Sequence, residues 1–105
     1  GYGACVMVMG AKFPNRFEAR AERRNWFARK DAEALLDWVE DCGHRFIGLE
    51  VAQKQDDGTW ALLADSLVLS RQTENFEAIR MGRVFLSEYD GEGRMFEPVW
   101  QDRAQ

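Results

Sequence analysis

The hydrophobic period of this chain changes once, sharply, at Gly43, and that change constrains the fold more than any other feature. Before it, Ala32, Leu35, Leu36, Val39 and Cys42 recur at i, i+3, i+4, i+7 and i+10, a single apolar stripe along a helix. Asp31 and Glu33 stand where the helix dipole favours negative charge, and Gly43 is placed to end the helix in a left-handed conformation. Trp38 falls at the edge of the stripe, half in and half out. After Gly43, Arg45–Lys54 alternates, with Phe46, Gly48 and Glu50 set against Ile47, Leu49 and Val51, the signature of a strand. Asp57-Gly58 is a strong hairpin signal, and Thr59–Ala64, bearing Trp60 and Leu62, reads as the returning strand.

Around this nucleus the signals are weaker. Ala4–Met9 is a continuous apolar run that reads as a buried strand. The stretch 16–24 alternates Phe17, Ala19 and Ala21 against Glu18, Arg20, Glu22 and Arg24, giving that strand a hairpin partner. A helix capped by Asn15, with Glu18 closing a capping box, is the alternative. Ser66–Leu69 continues the returning strand past a bulge. Ser70 or Thr73 caps a short helix over about 71–81 that carries Phe76 and Ile79 and is closed by Gly82. Arg83–Tyr89 and Arg94–Trp100 flank Asp90-Gly91-Glu92-Gly93 as a second hairpin, and Pro98 places the last strand at a sheet edge. The expectation is one α+β domain over residues 1–105. It holds an antiparallel sheet of about five to six strands with a well-defined helix (about 31–42) and a second, short one on one face.

Charge is divided unevenly. Residues 12–30 hold seven of the fourteen basic side chains against Glu18 and Glu22, while residues 31–105 hold sixteen of the eighteen acidic ones. The net charge of −4 is therefore a basic segment joined to an acidic body, a polarity that governs which partners approach. Arginine outnumbers lysine eleven to three, which suits planar recognition of phosphate or carboxylate. The four tryptophans and seven phenylalanines are a heavy aromatic load for 105 residues, and part of it is expected on a surface that another molecule covers. The longest uncharged stretch, Gly1–Ala11, is too short to span a bilayer. Cys5 and Cys42 read as buried, reduced thiols of a cytoplasmic protein, with a disulfide between them as the alternative.

Few residues suggest chemistry. His44 is the lone histidine, and Asp41 or Glu40 would have to orient it as a base; its place just after the helix end reads more simply as a contact with the last turn. Cys42 lies on the apolar stripe, where a thiol is a small hydrophobe, and no second Cys/His pair completes a zinc site. The acidic turns at 56–58 and 90–93 lack the ligand spacing of a calcium loop. No phosphate-binding loop, dinucleotide fingerprint or nucleophile elbow is present. No catalytic residue, metal or cofactor is assigned. Phe27–Gly43 looks like the strand-to-helix passage of the SPOR peptidoglycan-binding repeat over less than a fifth of the chain. The long hairpins around it do not fit that repeat, so no family is assigned.

The binding candidates are Arg20, Arg23, Arg24 and Arg29 around Trp26, together with Trp38, Trp60 and Trp100. The expected function is a non-enzymatic interaction module, of accessory or inhibitor type, that works through protein–protein contact and self-associates as a dimer. The first alternative is nucleic-acid binding, with the arginines of segment 16–30 on phosphates and Trp26 as a stacking platform. It is disfavoured by the interleaved Glu18 and Glu22 and by a pI near 5.0. The second alternative is a small-molecule site lined by the tryptophans. No membrane partner is expected.

Overall fold

The computed structural model describes residue 17, residues 20–22 and residues 25–102. They form an α+β architecture in the order α1 (Arg29–Asp41), β1 (Arg45–Lys54), β2 (Trp60–Val68), α2 (Asn75–Glu88) and β3 (Arg94–Gln101). The three strands make one antiparallel sheet in the order β2-β1-β3, and both helices pack on the same side of it.

The stripe read from the sequence is the inner face of α1, where Ala32, Leu35, Leu36 and Val39 are buried. Trp38 is buried with them, not half exposed. The end of α1 is fixed by a Schellman motif: the Gly43 N–H donates to the Glu40 carbonyl and the His44 N–H to the Val39 carbonyl, each at 3.0 Å. Gly43 has φ 73° as that motif requires. The Asp57-Gly58 hairpin forms as expected, closed by Thr59, whose N–H and hydroxyl both donate to Asp57 Oδ1. These bonds hold the Asp57 carboxyl below its ordinary pKa. The bulge expected in the returning strand is also present. Leu62 and Ser66 pair with Ala52 and Glu50, so Leu63, Ala64 and Asp65 together oppose Val51 alone. Pro98 lies on β3, at an edge of the three-stranded order.

Among the described residues the sheet has three strands, fewer than the five to six expected. The expected strand at 4–9 lies outside the described residues; of 16–24, the described residues 17 and 20–22 are not strand, and the Arg20 N–H donates to the Phe17 carbonyl at 2.9 Å in a local turn. The expected strand at 83–89 is the second half of α2. Ala78, Ile79, Gly82, Phe85 and Leu86 are the buried positions of that helix, a helical stripe that runs straight through the supposed terminator. Gly82 is not an end but a point of contact. A Cβ built there would lie 2.7 Å from Phe46 Cε2 and 3.2 Å from Leu36 Cδ1. Asp90–Gly93 accordingly joins α2 to β3 and not two strands. The start of α2 uses neither Ser70 nor Thr73: its N-cap is Glu74, without a side-chain capping bond. Asn75 instead accepts from the Phe46 N–H and donates to the His44 carbonyl, both at 2.9 Å, tying the helix start to the first residues of β1.

The core lies between the helices and the sheet. Phe27, Leu35, Leu36, Val39, Phe46, Leu49, Val51, Ile79, Leu86 and Phe96 are its fully buried centre. Cys42 is disulfide-bonded, which corrects the expectation of reduced thiols. A sulfur at the end of an apolar stripe is buried in either redox state, so the pattern could not separate them. Cys5, the other cysteine of the sequence, lies outside the described residues. With the free thiol goes the argument for a cytoplasmic location, since disulfides persist in oxidising compartments. No helix among the described residues is long and apolar enough to cross a membrane.

Candidate functional site

Each strand of the sheet alternates, so the residues between the core positions form a second face, turned away from both helices. Three cross-strand rows follow from the pairing. Val68, Gly48 and Val99 form the first; Ser66, Glu50 and Glu97 the second; Leu62, Ala52 and Met95 the third. Among the described residues no helix covers this face. Leu62 is 73% exposed and Val68 81%, and Val99 is 37% exposed, while Gly48 is buried against the β2 backbone, where a Cβ would lie 2.5 Å from the Leu67 carbonyl oxygen.

The third row shows what does cover part of it. Ala52 and Met95 are buried, at 0% and 5% exposure, yet they stand outside the main core cluster. The reason lies in two tryptophans. Trp60 pairs with Lys54 on β2, which puts it on this face. Phe27 bridges to Phe96 at the outer side of β3 with its ring in the core, so the preceding Trp26 turns to this face as well. The rings meet edge to face with centroids 5.9 Å apart, as aromatic quadrupoles prefer. They cover the Ala52–Met95 row and leave Leu62 as its exposed member. Lys54 is held there by Glu22 at 3.0 Å.

The middle row is acidic. Glu50 and Glu97 are direct partners across β1 and β3, an arrangement that like charges make unfavourable. Partial burial pushes the Glu97 carboxyl above its ordinary pKa; a hydrogen bond from Asn25 pulls the other way, and the neighbouring Glu50 adds to the rise. The face is thus an acidic row beside two exposed valines, with its other apolar row covered by aromatic rings except at Leu62.

The expected binding residues do not gather in one place. Trp26 and Trp60 lie together on the open face. Trp38 and Trp100 are buried and pack edge to face at 5.7 Å, so no pocket is lined by all four tryptophans. His44 belongs to that buried cluster, its ring 5.1 Å from Trp38. This is the apolar contact that often accompanies a Schellman end. Its supposed orienter Glu40 is engaged instead by Arg83, which bridges to Asp37 as well and so links α2 to α1. Arg20 pairs with Asp31 at 3.4 Å. Arg29 is gripped by Glu33 at 2.5 Å and Asp90 at 2.9 Å, contacts that raise its pKa further. Arg23 and Arg24 lie outside the described residues. Among the described residues no three His, Cys, Asp or Glu side chains are grouped to hold a metal ion.

Leu62, Val68, Val99, Glu50 and Glu97 of this face were not among the expected binding residues. The available signal was Val99 and Glu97 alternating with Pro98 and Trp100. It points outward only once the pairing of β3 with β1 is known.

The described residues together define a small α+β domain with a two-helix layer on one side of its sheet and a partly exposed, partly apolar surface on the other. Comparison with protein-family models, with curated proteins and with solved structures finds no match.

Proposed function

We propose that this chain is a non-enzymatic protein-binding module and that the helix-free face of its sheet is the working surface. The observation that supports this is the exposure of Leu62, Val68 and Val99 on one side of a sheet whose other side is closed by two helices. A sheet face of this kind is a docking surface when apolar side chains stay in water on it. Nucleic acid suits it poorly, because Glu50 and Glu97 sit at its centre and Arg20 and Arg29 are already paired with carboxylates. The self-association expected from the aromatic load has a weak basis here. Two of the four tryptophans are spent in the core, and two copies set face to face would bring four carboxylates together. The partner is therefore a different chain.

The test is selection of binding peptides from a display library against the purified protein. Binders are expected to lose affinity for Leu62→Glu/Val68→Glu and to keep it for Phe76→Glu, which alters an exposed residue of α2. Binders indifferent to the first variant and sensitive to the second would overturn the assignment of the face.

A further inference from the structure

We propose that a second copy of this chain docks on the outer edge of β2, strand to strand and antiparallel about Val68, so that the two three-stranded sheets become one. The open face itself stays free for a different chain. Three observations lead there. The first is that the two edges of the sheet differ. The outer edge of β3 is closed by Phe27, which exchanges both main-chain hydrogen bonds with Phe96, at 2.8 and 2.7 Å, and by Pro98, which has no N–H to offer. Apart from its bulge, β2 carries no such guard. It has no proline and no lysine, its one charge is Asp65, and none of its residues is buried.

The second is hydrogen-bond phase. The Leu69 N–H donates to the Ile47 carbonyl at 3.2 Å. Leu69 and Leu67 therefore direct their main-chain groups to β1, while Ser66, Val68 and Ser70 direct theirs away from it. Exposure alternates in step: Ser66, Val68 and Ser70 are exposed, and Leu67 and Leu69 are half-buried against the core. The bulge at Leu63, Ala64 and Asp65 precedes this stretch and leaves it regular.

The third is self-complementarity, and it is what selects a copy over another chain. From Asp65 to Arg71 the sequence is Asp-Ser-Leu-Val-Leu-Ser-Arg, the same in both directions except that its ends carry opposite charge. Antiparallel pairing about Val68 sets valine against valine, each Leu67 against Leu69 and each Ser66 against Ser70, with Asp65 opposite Arg71 of the other copy. The valines and serines then share the open side and the leucines the helix side, as cross-strand neighbours. The two valines exchange both N–H···O bonds across the axis. The Ser70 carbonyl is taken by Arg45 and Thr73, so each Ser70 contributes its N–H alone, to the Ser66 carbonyl opposite. Arg71 is exposed and enters none of the ion pairs among the described residues. The carboxylates that oppose a face-to-face dimer stay apart here. The Glu50 positions of the two copies are three inter-strand spacings from each other, about 14 Å, beyond the screening length of physiological salt.

The experiment is sedimentation of the full chain over about 1 μM to 1 mM, with circular dichroism to show that each variant is folded. A monomer–dimer equilibrium that shifts with concentration is expected. Val68→Pro removes an N–H that β1 does not use and should abolish the dimer. Asp65→Arg should weaken it about tenfold, as the two exposed ion pairs become repulsions, and Asp65→Arg/Arg71→Asp should restore it. Leu62→Glu, outside the paired stretch, should leave it unchanged. A chain that is monomeric throughout would overturn the proposal without touching the docking face. A dimer dissolved by Leu62→Glu and not by Val68→Pro would replace it with face-to-face association. A dimer indifferent to Asp65→Arg, or not restored by the double reversal, would rule out antiparallel pairing about Val68.

Discussion

On β3, Phe96 and Val99 stand three residues apart and face opposite ways. Phe96 is fully buried under the helices, and Val99 is 37% exposed on the other side. The same division holds on β1 and β2, where Leu49 and Leu67 pair on the helix side while Gly48 and Val68 pair on the open side. One set of strands thus carries a closed surface and an uncovered one. The closed side packs large side chains against two helices. The open side holds valines, one leucine, a glycine and two opposed glutamates, with tryptophans only at one end. An antiparallel sheet can turn one face to water when that face is polar. This one is polar only in its middle row, so solvation does not account for the exposed Leu62, Val68 and Val99.

The contrast is broken most forcefully by cutting equal volumes from the two sides. Leu36 lies under the helix layer and Leu62 on the open face. Leu36→Ala should cost about 2–5 kcal/mol through lost burial and the cavity left behind. Leu62→Ala, by contrast, should fall within about 0.5 kcal/mol of the parent protein. Urea denaturation of the two variants measures both. Similar losses would mean that Leu62 is covered in solution and that the two faces are not distinct.

Overfilling sharpens the comparison from the closed side. Gly82→Ala adds one methyl where the Phe46 ring stands 2.7 Å from the new carbon. Helix propensity alone favours alanine by about 1 kcal/mol, but overpacking a filled core costs about 1–3 kcal/mol. The net effect should be a loss, read as a lower denaturation midpoint. A gain would show that α2 can move away from the sheet and that the covered face is loosely packed.

Sequence pattern made the closed side largely legible and the open side hardly at all. The stripe from Ala32 to Cys42, the Gly43 end and the Asp57-Gly58 hairpin follow from local chemistry, and each forms as expected. Gly82 misled because a glycine after Ile79 has the same local appearance whether it ends a helix or lets the helix press against a ring. Only the distant Phe46 decides between them. The arginines of 20–29 stood out by composition, yet Asp31, Glu33 and Asp90 claim two of them, and Asp90 is remote in sequence. The open face is a product of strand order. Leu62, Glu50, Glu97 and Val99 share a surface only because β1 lies between β2 and β3, and no local period announces that.

The smallest expected effect separates a docking face from a merely solvated one by its sign. Glu97 has a folded-state pKa above its ordinary value near 4.5, from partial burial and then from Glu50. A carboxyl raised in this way favours the folded state below its unfolded pKa and loses that contribution as pH rises through its folded pKa. The charged form is therefore a cost at neutral pH. Glu97→Gln keeps an acceptor for Asn25 and removes the cost. The variant should match the parent in thermal stability below the ordinary glutamate range and exceed it at neutral pH. The gain should be about 0.5 kcal/mol, in line with like-charged cross-strand pairs and reduced by solvent. Thermal melts across that pH range measure the crossover. If the carboxylate is kept for a partner, the same substitution that steadies the free protein weakens its hold on peptides selected against the open face. Lower stability at neutral pH would instead make Glu97 a part of the fold, its charge balanced from within the molecule.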